Sequence, residues 1–457
     1  MRKVSTTVAC VLAVATAWSG CGAAGAARSP LFDEESILEL RIEAPFQELF
    51  EGAKKSPDLT VPGALFEAAS GRESRAIPVT VSLRGHTSRR ESECSFPKLK
   101  LEFDKSAAAD TLFAGMKSIK IGTHCGEAPN DVPTPRFGRL QNERGPFREI
   151  AVYRLLHAFE VPTLRVRPAR IRYVDPGPST ALVRNAMLLE DDNEAIKRLG
   201  GSHEIKPEDF TSADRVFDPA DSALISFAQA LIGNFDWCLM FTADDSYRCD
   251  ARRKLWNVSA LATDGARARP LMYDFDVSGM VAGSHRWFPD VFNAGFVASR
   301  STREVEVIAQ LQRTRTLFSR AELDATRRRF VDRKSKAYHV VEQSELDADG
   351  RRQIREYLDA FFAEVESDDR FYRPVVAVAD VRPRVAPNAS APVVCGSRGA
   401  APVGTPVSEP IETRGEMVKV AVLDALWHWG PAVKCAPIQS GAVWIEKRAI
   451  SRDFPAR

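Results

Sequence analysis

The stretch Leu271-Met272-Tyr273-Asp274-Phe275-Asp276 decides how this chain is read. An apolar run of strand length ends in two aspartates that flank one aromatic. Carboxylates held at the end of a buried strand cannot spread into solvent, so they converge on something positive. Hard divalent cations take such oxygens, often together with phosphate oxygens. A third aspartate stands upstream in Asn234-Phe235-Asp236-Trp237, directly behind an apolar segment that stops at Gly233. A loop aspartate followed by a strand-end Asp-x-Asp points to an enzyme that handles phosphate.

Working outward, residues 37–42 alternate as a strand, and 77–84 (Ile-Pro-Val-Thr-Val-Ser-Leu-Arg) form a β-branched second one ending in a turn at Gly85. Residues 96–103 predict a third strand, with Lys98, Lys100 and Glu102 on one face and Leu99, Leu101 and Phe103 on the other. Residues 44–71 are mixed, with a helix and a Pro/Gly-marked loop; 126–145 read as a mobile loop rich in Pro, Gly and Arg. An amphipathic helix is expected over 147–159, with Ile150, Tyr153 and Leu155 or Leu156 inward. Two strands follow at 164–174 and 181–189, then a polar helix through Leu199. Asp218-Pro219 starts a helix with an N-cap acceptor and a first-turn proline. Short strands at 254–261 and 269–273 lead to Asp274, and 301–369 are helical.

Phosphoryl transfer needs cationic groups on the phosphates, a carboxylate metal ligand and a residue that positions the nucleophile. The order of parts supplies them: a strand lysine (Lys98 or Lys100), a helix glutamate (Glu149), a hinge-like Leu188-Leu189-Glu190, the loop with Asp236, and the strand ending at Asp274. Taken singly the signals are modest. Two lysines on one strand face are usually a solvated face, Glu149 beside Arg148 is an ordinary surface pair, and Glu190 caps a helix equally well. Asp-Phe-Asp also occurs in nucleotide-sugar transferases and aspartyl-phosphate hydrolases, although the hydrolases carry it near the domain start.

Over about residues 35–300 the chain resembles the spore-coat protein H (CotH) kinase family of extracytoplasmic, kinase-like proteins. The resemblance rests on the segments at 77–85 and 96–103, Arg148-Glu149 opening a helix, Leu188-Leu189-Glu190-Asp191, and the two aspartate motifs. It implies an α+β, atypical protein-kinase-like two-lobed fold over 35–372. It also implies ATP with Mg²⁺ or Mn²⁺, and transfer of the γ-phosphate to Ser or Thr of a protein substrate. Carried over by position, Lys98 or Lys100 contacts the phosphates and Glu149 orients that lysine. Arg84 and Gly85 lie over the nucleotide and Glu190 near the base. Asp236 is the catalytic-loop carboxylate, Asp274 holds the metal with Asp276 in support, and Asn257 is the second metal ligand. The chain has His86-Thr87-Ser88 where the family often has Asn-Ser-Ser, and Trp256-Asn257 where it commonly has His-Asn. The alternative is a catalytically inactive kinase fold serving as a cell-envelope binding or scaffold protein.

Composition changes near Arg373-Pro374. Residues 375–457 resemble a bacterial Src-homology-3-type β-barrel, on the segments 381–390, 419–422 and 441–446. Such domains often bind peptidoglycan or peptides, and Trp427, Trp429 and Trp444 offer a binding face, although Trp444 alone reads rather as a core residue.

Residues 1–27 read as a leader: Arg2 and Lys3, a short apolar core, then Trp18-Ser19-Gly20-Cys21, similar to a bacterial lipobox that would make Cys21 an acylated N-terminus. Cleavage after Ala24-Gly25-Ala26, giving a secreted protein, is the competing reading. Export to the cell envelope is expected, with the membrane met through a lipid anchor only. The other cysteines fall into sequence-local pairs, Cys94 with Cys125, Cys238 with Cys249 and Cys395 with Cys435, which an oxidising compartment would let close. The 457 residues are 44% hydrophobic and 27% charged, with a net charge of +2 and no basic tail. No nucleic-acid partner is expected, and the absence of CxxC or HxxH spacing argues against a zinc site.

Overall fold

A computed structural model describes residues 30–67, 75–85, 89, 96–123, 144–176, 181–243, 249, 253–283, 302–394, 401, 403–421 and 442–453. Alternating strands build the first half. They are β1 (Leu38–Glu43), β2 (Thr60–Glu67), β3 (Ile77–Leu83), β4 (Leu99–Phe103), β5 (Ser118–Gly122), β6 (Val166–Val174) and β7 (Ala181–Leu189). They close into a barrel in the order β1-β2-β3-β4-β5-β7-β6, with β6 returning parallel to β1. Ile77, Val79, Val81 and Leu83 of β3 point inward, as do Leu99, Leu101 and Phe103 of β4. They meet Ile119, Ile121 and Ile171 in the barrel core. Each fully buried aliphatic side chain there contributes about 1.5–3 kcal/mol.

The mixed stretch after Ala44 resolves into α1 (Phe46–Ala53) and then β2, a strand the sequence reading did not separate. Strand β5 was likewise not anticipated, because a five-residue Ser-Ile-Lys-Ile-Gly carries too little pattern. Helix α2 (Gly145–Ala158), with Pro146 in its first turn, joins β5 to β6. It was expected to be amphipathic. Instead it is buried nearly all round, Arg148 and Glu149 included, because it lies between the barrel strands and the helices that follow.

A second, helical body then forms: α3 (Asp192–Arg198), α4 (Ala213–Val216), α5 (Pro219–Leu231), α6 (Gly279–Ala282), α7 (Thr302–Thr314), α8 (Arg320–Val331), α9 (Lys334–Gln343), α10 (Ala348–Val365) and α11 (Asp368–Phe371). Helix α5 starts at Pro219 as expected, but the Asp218 side chain makes no capping hydrogen bond. Ser319 and Glu322 form a reciprocal capping box on α8. Between these helices lie β8 (Gly201–Ile205), β9 (Cys238–Leu239), β10 (Leu255–Trp256), β11 (Val258–Thr263) and β12 (Arg269–Met272), with β12-β11-β8 forming one antiparallel sheet. Phe159, Phe227, Phe330, Phe361 and Phe371 stack through the core of this body.

The C-terminal segment carries β13 (Val375–Val376), β14 (Glu412–Arg414), β15 (Met417–Ala421), β16 (Ala442–Glu446) and β17 (Ile450–Ser451). These make a pair, β13-β17, and a three-stranded sheet, β14-β15-β16. Trp444 is buried in β16; Trp427 and Trp429 lie outside the described residues. The small core here takes in Val305 from α7, while Val307 and Leu311 of the same helix belong to the helical core. Gln312 of α7 donates to the Phe371 carbonyl at 2.9 Å. Just beyond the helix, Arg315 donates to the carbonyls of Arg373 and Arg452 at 2.7 and 3.0 Å. Among the described residues no helix is long and apolar enough to cross a membrane.

Candidate active site

Four segments meet where the barrel touches the helical body. The first is the entry to β4. Lys98 precedes the first rung of the strand, and its carbonyl accepts from the Arg84 amide at 2.9 Å. That bond ties it to the exit of β3, where Gly85 has φ 83°. Lys98 has the same alternation as Lys100, yet the two part company. Lys100 pairs with Glu102 at 2.6 Å on the outside of the strand. Lys98 turns into the interior, where its Nζ lies 2.7 Å from Asp274 Oδ1 and 2.8 Å from Asp276 Oδ2.

The second segment is the β12 exit. The chain needs a sharp reversal after Met272, and Asp274 takes it with φ 62°, a left-handed conformation uncommon outside glycine. Two side chains of α2 catch the turned backbone. The Asp274 amide donates to the Tyr153 hydroxyl at 3.1 Å, and the Phe275 amide donates to Glu149 Oε1 at 3.2 Å. The Tyr153 and Phe275 rings pack with centroids 4.7 Å apart. Glu149 therefore fixes the acidic turn, and its charge also bears on Lys98, the lysine it is expected to orient.

The third segment is the loop after α5. Gly233 (φ 60°) ends the helix, and Asn234 Oδ1 accepts from the Asp236 amide at 2.9 Å, an Asx turn that aims the Asp236 side chain. The buried Asn234 amide is in turn held by Gln229 Oε1 at 2.9 Å. Trp237 donates to Gln310 of α7 at 3.4 Å. The fourth segment is the β10–β11 junction, where Asn257 (φ 55°) and Trp256 meet Asp236. Trp256 Nε1 donates to Asp236 Oδ1 and Asn257 Nδ2 to Asp236 Oδ2, both at 3.1 Å. The guanidinium of Arg253 stacks 3.8 Å from the Trp256 ring centroid and backs it. Asp274 and Asn257 are two of the four non-glycine residues with positive φ among the described residues, with Glu160 and Asp380.

Two glycines let the acidic loops close. The Gly279 amide donates to the Gly233 carbonyl at 3.0 Å and Met280 to Ile232 at 3.1 Å. The ring of Tyr357 lies against both glycines, and its hydroxyl donates to Glu306 of α7.

Charge is strongly perturbed here. Burial pushes the Asp236 carboxyl up to about 6, with Asp276 and Asp274 adding to it, against the Trp256 and Asn257 hydrogen bonds. Burial opposes ionisation of Asp274 too, but Lys98 outweighs it and holds that carboxyl below its usual range, with Arg84 and Lys120 contributing. Asp276 is pushed up, first by burial and then by Asp274. Burial alone would lower the Lys98 ammonium, yet Asp274, Asp276 and Glu149 hold it well above the usual lysine range.

Glu149 is pushed up to about 8, by burial first and the Asp276 charge next, with Lys98 countering only in part. The folded carboxyl keeps a proton that the unfolded one loses above about 4.5, so stability falls as pH rises from about 4.5 to 8 and then levels off. Glu149→Gln keeps an acceptor for the Phe275 amide and removes the titration. It should flatten the decline of melting temperature between pH 5 and 8 (up to about 1.4 kcal/mol per pH unit in wild type). Parallel slopes for the two proteins would reject this assignment.

Glu190 is closed off from a ligand. Both of its oxygens accept from Arg198, at 2.7–3.2 Å, and Oε2 also takes the Arg165 amide at 3.0 Å. Asp191 caps α3 through the Asn193 amide, and Asp192 pairs with Lys120 of β5. Lys120 has no sequence signal as a site residue, and Tyr153, Trp256 and Asn234, though they stand in or beside the quoted segments, carry no sequence sign of the hydrogen bonds they make here. Cys238 and Cys249 are joined, with Cα atoms 5.4 Å apart, directly behind Asp236. Cys21, Cys94, Cys125, Cys395 and Cys435 lie outside the described residues, as do His86, Thr87 and Ser88.

Among the described residues no three acidic, histidine or cysteine side chains form a ready-made metal cage. The donor set fits a different kind of site. Asp274 and Asp276 already share one cationic centre, and Mg²⁺ is commonly held by one or two carboxylates with substrate phosphates completing the shell. The Asp274 side chain is 36% exposed against 9% for Lys98, so solvent reaches the acidic pair at Asp274 more than at the lysine. No protein-family model matches this chain, and no curated protein matches it.

Proposed function

We propose that the chain is an extracytoplasmic, ATP-dependent phosphotransferase of the spore-coat kinase kind, transferring the γ-phosphate to Ser or Thr of a protein substrate. The observation that carries this reading is the bridged pair Asp274–Lys98–Asp276 at the seam between barrel and helical body. On this reading the two bodies are the two lobes of a kinase-like fold, and residues 189–192 are the connection between them. Three cations, Lys98, Arg84 and Lys120, bear on the Asp274 carboxyl, and cationic side chains are among the groups that hold a phosphate chain. A divalent ion, when bound by Asp274 and Asp276 with the phosphates, would neutralise charge that develops on the transferred group.

The residues then divide the work. Asp236, held on both oxygens by Trp256 and Asn257, orients the acceptor hydroxyl and takes its proton. Tyr153 and Glu149 set the position of the Asp274–Asp276 turn. Asn257, expected as a second metal ligand, has its amide nitrogen on Asp236, which makes it a positioning residue on this reading. Arg84 and Gly85 lie at the entrance to Lys98, suited to covering the phosphates. Glu190, committed to Arg198, leaves contact with the base to its backbone neighbours. The Cys238–Cys249 link supports an oxidising compartment, consistent with a leader cleaved before Cys21 and with a C-terminal segment that meets peptidoglycan or peptide.

Transfer of label from ATP marked separately at the γ- and α-phosphates tests the proposal, with oxidised protein, Mg²⁺ or Mn²⁺, and Asp274→Asn beside wild type. Gamma label on protein, lost in Asp274→Asn, is the expected result. Alpha label would mean nucleotidyl transfer at the same site. No label from either, with no ATP-dependent rise in melting temperature, would leave a cell-envelope scaffold.

A further inference from the structure

Lys98 does more than approach the acidic pair: it sits where a cation of that pair would sit. Its ammonium is 2.7 Å from Asp274 Oδ1 and 2.8 Å from Asp276 Oδ2, and its side chain is 9% exposed. A divalent ion held by the same two oxygens at about 2.0–2.1 Å would lie inside contact distance of that nitrogen. Like charges so close, with little water between them, repel strongly. The ammonium and the metal therefore exclude each other.

We infer that Lys98 is a built-in counter-ion gating the acidic pair, so that a divalent cation binds only by displacing its ammonium. This rests on the reading of Asp274 and Asp276 as a metal site. The backbone of Lys98 is pinned by the Arg84 amide, so the exchange is a swing of the side chain alone. Glu149, whose Oε1 accepts from the Phe275 amide between the two aspartates, lies within electrostatic reach of Lys98 and offers the displaced group a carboxyl on that side. In the metal-free protein the lysine relieves the repulsion between Asp274 and Asp276; when metal takes over that role, the lysine is released toward the phosphates.

The consequence runs against the usual expectation for a site lysine, because removing it should strengthen metal binding. Calorimetric titration of the full oxidised chain with MnCl₂ alone would compare wild type, Lys98→Met and Asp274→Asn. Lys98→Met should bind Mn²⁺ about tenfold tighter or more, since the competing unit charge is gone. Equal or weaker binding in Lys98→Met, with Asp274→Asn losing it, would overturn the gate and leave the metal site standing. No binding in either wild type or Lys98→Met would overturn both. A second measurement needs no variant: acetylation of Lys98 in wild type, read by mass spectrometry, should rise several-fold when Mn²⁺ is added. Unchanged acetylation at saturating Mn²⁺ would overturn the gate even if Lys98→Met did not fold.

Discussion

Asp236→Asn will bind ATP with wild-type affinity and transfer phosphate about 10²–10⁴-fold more slowly, the range for loss of a positioned general base. The structure gives this variant a particular character. Both carboxylate oxygens of Asp236 accept, one from Trp256 and one from Asn257. An asparagine offers only one acceptor, so its amide nitrogen must face the donor of Trp256 or of Asn257. One buried donor is then left unsatisfied, at a cost of about 1–3 kcal/mol. Loss of transfer should therefore come with a modest fall in melting temperature and unchanged nucleotide affinity. A transfer rate within a factor of about three of wild type would remove Asp236 from the chemistry. Because this carboxyl is raised to about 6, wild-type transfer should also fall as pH drops below 6. That fall should be missing from the residual activity of Asp236→Asn.

Gly279→Ala should destabilise the chain by about 3 kcal/mol, the upper end for overpacking a rigid core, although it adds a single methyl group. A Cβ at Gly279 would fall on the hydroxyl and ring of Tyr357. That ring is fully buried, and its hydroxyl is tied to Glu306. Gly233 packs against the same edge of the ring, where a Cβ would fall 2.4 Å from Cε1, so the ring is held closely at this edge by both loops. Gly265→Ala is the control: its Cβ would meet only Thr263 Oγ1 at 3.4 Å, and a change within about 0.5 kcal/mol is expected. Urea unfolding of the two variants decides the matter, and a Gly279→Ala as mild as the control would show that the tyrosine does not wedge the loops. The effect should reach the site as well, since Gly233 and Gly279 flank Asp236 and the Asp274–Asp276 turn in the chain.

Much of this site was legible because its parts are local. An apolar strand ending in Asp-Phe-Asp, and a helix stopping at Gly233 before Asp236, declare themselves within a few residues. Cys238 and Cys249, eleven residues apart, did the same. The choice between Lys98 and Lys100 was not legible, since both have the same alternation. It turns on where the strand begins: at Leu99, which leaves Lys98 before the first rung and free to turn inward. Tyr153 reads only as an inward aromatic of its helix and Trp256 only as the neighbour of Asn257, because a hydroxyl or indole N–H has no sequence signature for the loop it holds. Glu149 was found but its partner was not, as the backbone amide of Phe275 is a donor that no motif displays. Helix α2 misled for a related reason: periodicity reports one buried face, and this helix is covered on nearly all sides.

Helix α7 carries a different lesson, about where such a chain can be cut. The change of composition near Arg373 looks like a seam between interchangeable cassettes. Yet Val305 belongs to the core on one side of that seam while Val307 and Leu311, on the same helix, belong to the other. Gln312 and Arg315 tie it to carbonyls just before the seam and, at Arg452, far beyond it. A chain ended at 373 would lay Val305 bare and strip Arg315 of its Arg452 acceptor, so the fragment would lack part of its own wall. The C-terminal segment is better regarded as the keystone of the helical body than as cargo, and transplanting it onto another protein would mean transplanting α7 as well.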